Sequence, residues 1–143
     1  MNRNEMKIEF GSDPRNESFA RVVVASFMTR TNQTLEEVAD VKTAVSEAVT
    51  NSIIHGYGQK KGTIEIRAYI EERKLYIEIT DYGCGIEDVE KAMEPMFTTG
   101  KDGRSGMGFS FMEAFMDELT VESEPGKGTT VKMAKKIGAG CAV

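Results

Sequence analysis

The chain has no tryptophan, only one histidine and two cysteines, and no long apolar segment among its 143 residues. Two cysteines, Cys84 and Cys141, cannot form a disulfide framework and lack the spacing of a zinc site, so we expect reduced thiols. The single histidine, His55, excludes a metal centre built from several histidines. Because no stretch resembles a signal peptide or an 18-residue membrane span, we expect a cytoplasmic protein that does not contact a membrane.

Acidic residues outnumber basic ones, because the chain has 23 Asp and Glu but 18 Lys and Arg. The net charge is therefore -5. Direct nucleic-acid binding needs a clustered basic surface, so we do not expect it here. With 40% hydrophobic and 29% charged residues, the composition is that of a globular protein. The length predicts one domain over residues 1–137, followed by a flexible tail at 138–143.

The sequence also lacks a Walker A motif and a GxGxxG motif, which excludes a P-loop and a Rossmann phosphate site. Hydrophobic periodicity predicts helices at 16–31, 34–55, 88–93 and 109–115. Alternating patterns predict strands at 7–10, 63–70, 74–81, 119–124 and 129–137. Segment 95–108 has no hydrophobic period, and we predict a mobile loop there. The order of these elements indicates an α/β two-layer sandwich, with one largely antiparallel sheet covered by helices on one face.

A capping box, "TLEE" at 34–37, begins the second predicted helix. Farther along it, Glu47, Asn51 and His55 are spaced four residues apart and share one side, roughly opposite a stripe of valines. The Asn51 amide suits a Mg²⁺ ion that takes other ligands from phosphates, and Glu47 could orient or deprotonate a hydroxyl. The alternative for this face is a solvated helix surface. His55 is interpreted as a helix-end residue bonded to the backbone.

Two glycine-containing segments are candidates for contact with a nucleotide. Gly106 and Gly108 precede a predicted helix, where free N–H groups and the helix dipole favour phosphate. Asp81 ends a strand and is followed by Gly83 and Gly85, so its carboxylate could accept a hydrogen bond from the exocyclic amine of adenine. The alternatives are ordinary loop glycines in the first case and a turn-capping aspartate in the second.

Taken in order, "EAVTN" (47–51), "DYGCGI" (81–86), "FTTG" with "RSGMGF" (97–109) and "GKGTT" (126–130) resemble the motifs of the GHKL family of ATP-binding folds. Within that family the chain is more similar to the small anti-sigma kinases of spore-forming bacteria. This similarity runs from "KIEF" to "VKMAKK" and includes "NESFARV" (16–22) and "VSEAVTNSIIHGY" (45–57). It implies the GHKL (Bergerat) fold with a mobile ATP lid.

The resemblance also implies roles for individual residues. Asn51 matches the Mg²⁺ ligand, Glu47 the catalytic base, and Asp81 the acid that contacts adenine, helped by the two glycines after it. Arg104 matches a lid arginine near the γ-phosphate, and Arg21 a surface arginine that contacts protein partners. The remaining ATP-binding positions that the resemblance implies are Gly83, Gly85, Thr98, Thr99, Ser105, Gly106, Met107, Gly108, Thr129 and Thr130.

Family members of this type are homodimers that hold a sporulation sigma factor inactive when ATP is bound, and they phosphorylate a serine of an anti-anti-sigma factor. The resemblance therefore implies an ATP- and Mg²⁺-dependent protein serine/threonine kinase that regulates transcription. One alternative is the catalytic domain of a split histidine kinase, and another is a non-catalytic ATP-gated binding module. Two departures from the family pattern are a glycine-rich lid, "GKDGR", that is one residue shorter and Cys84 in place of a small residue.

Overall fold

The computed structural model describes residues 4–29, 33–58, 60–93 and 105–138, with the backbone alone at 105–107. The strands are β1 (Asn4–Gly11), β2 (Thr63–Glu71), β3 (Lys74–Asp81), β4 (Glu118–Glu124) and β5 (Gly128–Lys136). The helices are α1 (Asn16–Met28), α2 (Leu35–Asn51), α3 (Val89–Ala92) and α4 (Ser105–Phe115). A π-helical turn, Ser52–Tyr57, continues directly from α2.

The five strands form one antiparallel sheet in the order β1-β2-β3-β5-β4, so β3 is central. Alternate residues of β3, such as Ile77 and Ile79, are fully buried beneath the helices. On the opposite face Tyr69 and Tyr76 stack with ring centroids 4.6 Å apart. Because only one face is covered, the strands alternate between apolar and polar residues. The predicted two-layer sandwich with a largely antiparallel sheet is confirmed.

Helix α2 supplies the middle of the core. Val41, Val45 and Val49 are fully buried, which confirms the predicted valine stripe. The predicted capping box is also present. The Glu37 amide donates to Thr34 Oγ1 over 3.0 Å, and the Thr34 amide donates to Glu37 Oε1 over 2.8 Å. These bonds satisfy N–H groups that the first turn of a helix leaves free.

Several predicted boundaries differ from the structure, and β1, for example, spans Asn4–Gly11 rather than 7–10. Regular α-helix ends at Asn51 rather than His55, because the chain widens into a π-helical turn that brings Gly56 against β3. Residues 105–108 belong to α4 rather than to a loop. The sequence did not predict this turn because its glycines interrupt the periodic pattern of apolar residues. Gly138, assigned to the tail, is buried and donates its N–H to Glu37 over 3.1 Å. The rest of the predicted loop up to residue 104, the predicted end of the first helix at 30–31 and the tail from 139 lie outside the described residues.

We predict that Thr34→Ala lowers the free energy of unfolding by about 1 kcal/mol, because the Glu37 amide loses its acceptor at the start of α2. Urea unfolding followed by circular dichroism measures this difference. Leu35→Ala is the matched control from the same turn, since Leu35 is 90% exposed, and it should change stability by less than about 0.5 kcal/mol. Equal losses in the two variants would contradict the role of the capping box.

Candidate functional site

A cavity of about 730 Å³ lies between α2 with its π-helical turn, the end of β3, the start of β5, and the start of α4. Its volume falls in the range of about 300–1,000 Å³ that is usual for small-molecule sites. Four of the residues singled out in the sequence line it, although they come from separate elements. They are Asn51, Asp81, Gly85 and Thr129.

Asp81 is the buried acid of this cavity, and its side chain is 3% exposed. The Gly83 amide donates to its Oδ1 over 2.9 Å, and the Ser52 hydroxyl and the Thr129 amide also bond to it. Burial raises the pKa of this carboxyl, while the three donors act in the opposite direction. The carboxylate is therefore held by donors on its protein side and remains able to accept another hydrogen bond from the cavity.

Glycines allow the backbone to approach Asp81 closely. A Cβ added to Gly56 would lie 2.8 Å from Asp81 Oδ1, and one added to Gly83 would lie 2.0 Å from the Gly56 carbonyl oxygen. Gly85 has φ +77°, and a Cβ there would lie 2.2 Å from the Glu124 carbonyl oxygen. Such contacts exclude any side chain, which explains why "DYGCG" places glycine at both positions.

Asn51 marks the other end of the cavity, at the last residue of α2. A Cβ added to Gly108 would lie 2.9 Å from Asn51 Nδ2, so the first turn of α4 packs directly against this amide. The N-terminus of α4, with its free N–H groups, is thus close to a side chain that suits a cation. This pairing brings together two motifs that are far apart in the sequence.

The other predicted site residues are placed as follows. Glu47 is half-buried one turn before Asn51 and does not line the described cavity. Thr130 lies on the opposite face of the sheet, where its hydroxyl is 3.0 Å from that of Thr80.

The structure describes less of the predicted site residues near α4. The first turn of α4 contains Ser105, Gly106 and Met107, for which the backbone alone is described. Thr98, Thr99 and Arg104 lie outside the described residues.

Among the cavity residues that were not predicted as site residues, two bear directly on the site. His55 lines the cavity, and its carbonyl oxygen accepts a hydrogen bond from Cys84 Sγ over 3.1 Å, so this residue near the end of the helical segment is also part of the wall. Its spacing of four from Asn51 was the available signal. Ser52 is buried against Asp81, and no sequence pattern pointed to it because the π-helical turn sets its direction.

The sequence profile described as "Histidine kinase-like ATPase domain" matches residues 10–135. An anti-sigma F factor from Caldanaerobacter subterraneus subsp. tengcongensis is 60% identical over 136 residues, which cover 94% of this chain and 95% of the relative. One from Clostridium acetobutylicum is 58% identical over 138 residues and 96% of both chains. The chain belongs to the anti-sigma F factors within this ATPase family.

Solved structures support the same fold for this anti-sigma F factor family member. The crystal structure of the RsbU and RsbW domains of Rv1364c from Mycobacterium tuberculosis aligns with a TM-score of 0.69 at 18% identity, over 94% of this chain and 32% of that one. The catalytic domain of the histidine kinase ThkA aligns with a TM-score of 0.57 at 15% identity, over 96% and 97% of the two chains. At such low identity the likeness concerns the fold alone.

We predict that Gly83→Ala destabilises this family member by about 2 kcal/mol, because the new methyl group must displace the Gly56 backbone rather than a flexible side chain. Thermal and urea unfolding measure the loss. Gly11→Ala is the matched control, since a Cβ at Gly11 meets no atom within 4 Å. Equal stability of the two variants would contradict the close packing described for Gly83.

A second prediction concerns pH. The folded pKa of Asp81 lies above its ordinary value of 3.8, so its protonation stabilises the folded state at low pH, and this contribution is lost as pH rises through the folded pKa. Asp81→Asn removes this dependence. We therefore expect the stability of Asp81→Asn relative to wild type to increase between pH 4 and pH 7, measured by urea unfolding in the absence of nucleotide.

The control for this pH series is Asp13→Asn. Hydrogen bonds from Arg15 lower the pKa of the exposed Asp13 carboxyl to about 2, so it is ionised in both the folded and unfolded states between pH 5 and pH 7. Its effect on stability should be constant across that interval. A relative stability of Asp81→Asn that stays flat or falls with rising pH would contradict the raised pKa.

Proposed function

We propose that the chain binds ATP and Mg²⁺, holds the sporulation sigma factor sigma F inactive in the ATP-bound state, and phosphorylates a serine of an anti-anti-sigma factor. The observation that carries this proposal is one cavity with a buried carboxylate, Asp81, at one end and Asn51 beside a helix N-terminus at the other. The anti-sigma F factors at about 60% identity support the regulatory part.

We assign the end of the cavity at Asp81 to the adenine base. Its carboxylate accepts a hydrogen bond from the exocyclic amine, whereas a keto oxygen at that position would place two acceptors together and lose the bond. Gly85 keeps the wall beside the base free of a side chain, and Thr129 bonds to Asp81 through its backbone amide. This assignment gives the chain a physical basis for preferring adenine over guanine nucleotides.

The end at Asn51 is assigned to the phosphates and Mg²⁺. Among the residues that the structure describes, no three His, Cys, Asp or Glu side chains cluster as a metal site. The single amide oxygen of Asn51 fits Mg²⁺, which keeps several waters and takes its other ligands from nucleotide phosphates. Bound there, Mg²⁺ would neutralise phosphate charge. Asn51 supplies an amide oxygen, and the N–H groups near Gly108 face the phosphates.

Glu47 is the proposed base for phosphoryl transfer. It lies one turn from Asn51 on α2, and we assign it a position beside the terminal phosphate when a partner serine approaches. The seryl oxygen forms a bond to the γ-phosphorus as the bond to the β,γ-bridging oxygen breaks, and Glu47 accepts the hydroxyl proton. ADP leaves with the bridging oxygen. Arg104, placed near the γ-phosphate by resemblance, is proposed to stabilise the charge on the transferred phosphoryl group.

Arg21 on α1 is proposed to contact the protein partners. Its guanidinium pairs with Glu17 over 2.6 Å, and it lines a groove between α1 and α2 together with Lys42. The neighbouring Val22 is 62% exposed, so this surface combines positive charge with an apolar side chain. A homodimer and a cytoplasmic location are further parts of the proposal. No helix in the described part of the chain is long and apolar enough to cross a membrane.

We predict that Glu47→Ala retains ATP affinity but lowers transfer of phosphate to an anti-anti-sigma protein by at least about 100-fold, because the serine hydroxyl loses its base. Transfer is measured with γ-labelled ATP, and affinity by calorimetry. The acid stability of the product separates phosphoserine from phosphohistidine, the product expected of a histidine kinase. Wild-type transfer rates in Glu47→Ala would contradict the assignment.

We predict that Asn51→Ala, in the same assays, weakens the binding of ATP itself. Its ATP affinity in Mg²⁺ should fall at least about tenfold, while the difference from wild type should shrink when EDTA removes the metal. Thr50→Ala is the matched control on the neighbouring position of α2 and should leave both assays unchanged. If Asn51→Ala binds Mg²⁺ and ATP as wild type does, the metal role is wrong.

A further inference from the structure

The hydroxyl group of Tyr57 lies between two neighbouring strands, β2 and β3, beside the end of β3. It accepts a hydrogen bond from the Tyr82 backbone N–H over 2.7 Å and donates one to the Thr63 carbonyl oxygen over 2.5 Å. Thr63 begins β2, and Tyr82 directly follows Asp81 at the end of β3. The Tyr57 side chain therefore links the start of β2 to the end of β3 by hydrogen bonds, although Tyr57 belongs to neither strand.

The register of the sheet explains what this hydroxyl replaces. The last residue pair of β2 and β3 on this side is Ile64 with Asp81, so the next pair in the same register would be Thr63 with Tyr82. In a continuing ladder those two backbones would bond directly. Here the Tyr57 oxygen stands between them, so the strands separate at this point without leaving the Tyr82 N–H unpaired.

The ring of Tyr57 is held in place by packing. A Cβ added to Gly62 would lie 2.1 Å from Tyr57 Cε1, so the ring lies directly against the backbone of Gly62. The residue before Tyr57, Gly56, touches the Asp81 carboxylate and accepts the Cys84 N–H over 2.8 Å. Gly56 and Tyr57 thus contact the end of β3 at two places. Gly56 contacts the Asp81 carboxylate, and Tyr57 bonds to the peptide that follows Asp81.

We propose that Tyr57 is a positioning residue for recognition of the amino group of adenine, an inference that rests on the proposed function. The Tyr82 N–H belongs to the peptide that follows Asp81, so its bond to Tyr57 fixes the backbone rotation that directs the Asp81 side chain. Tyr57 itself does not line the described cavity. Its effect on a nucleotide therefore passes through the hydrogen bond that Asp81 accepts.

The test compares ATP with purine riboside triphosphate, which lacks the exocyclic amine, in calorimetric titrations of the full chain. Tyr57→Phe keeps the ring against Gly62 and removes only the hydroxyl. We expect it to weaken ATP binding about fivefold while leaving the affinity for the analogue unchanged, because only ATP uses the bond to Asp81. The preference for ATP over the analogue should fall accordingly.

Tyr82→Phe is the matched control. It removes a hydroxyl that donates to Glu65 over 2.7 Å on the exposed side, and it keeps the backbone N–H that bonds to Tyr57. Its preference for ATP should equal that of wild type. Equal weakening of both nucleotides in Tyr57→Phe would indicate general loosening of the site and overturn the inference. A wild-type protein that binds the two nucleotides equally would instead overturn the assignment of Asp81 to the base, and the inference with it.

A measurement on the wild-type protein covers the case in which Tyr57→Phe does not fold. Without nucleotide, the Tyr82 amide should exchange with deuterium slowly although its side chain is 58% exposed, because the amide is bonded to Tyr57. Addition of ATP should slow it further. Rapid exchange of this amide in the folded protein would overturn the inference.

Discussion

Burying the carboxylate of Asp81 at the end of the central strand is the constraint that shapes the site around it. A charged group loses much of its hydration there, so it must be surrounded by donors. The Ser52 hydroxyl and the amides of Gly83 and Thr129 meet this need. Each donor comes from a different element, and the backbone can approach closely only because Gly56 and Gly83 carry no side chain.

The π-helical turn follows from the same constraint. A regular α-helix continued past Asn51 would direct its side chains differently, whereas the wider turn brings Ser52, Gly56 and Tyr57 to the end of β3. At the same time Asn51 stays in the last turn of α2, against Gly108 of α4. One short segment therefore connects the two ends of the cavity, so the position of Asp81 and the position of Asn51 depend on each other.

The charges of the cavity explain why a metal ion belongs to the proposed function. The described wall has three carboxylates, from Asp81, Glu87 and Asp88, and one amine, from Lys91. Such a wall does not by itself attract a polyanion. Binding of a nucleotide triphosphate would depend on backbone N–H groups at the start of α4 and on Mg²⁺ beside Asn51. The chain as a whole, with a net charge of -5, offers no general attraction for phosphate.

The sequence alone predicts the sandwich, the valine stripe of α2 and its capping box, because these depend on local periodicity and on hydrogen bonds within a few residues. It also singled out Asn51 and Asp81 as candidates. The packing of the folded chain determines that Thr129 lines the cavity while Thr130 lies on the other face, and that His55 belongs to the wall. It also decided the contact of Tyr57 with Tyr82, since that bond joins residues 25 positions apart and depends on a π-helical turn that no local pattern specifies.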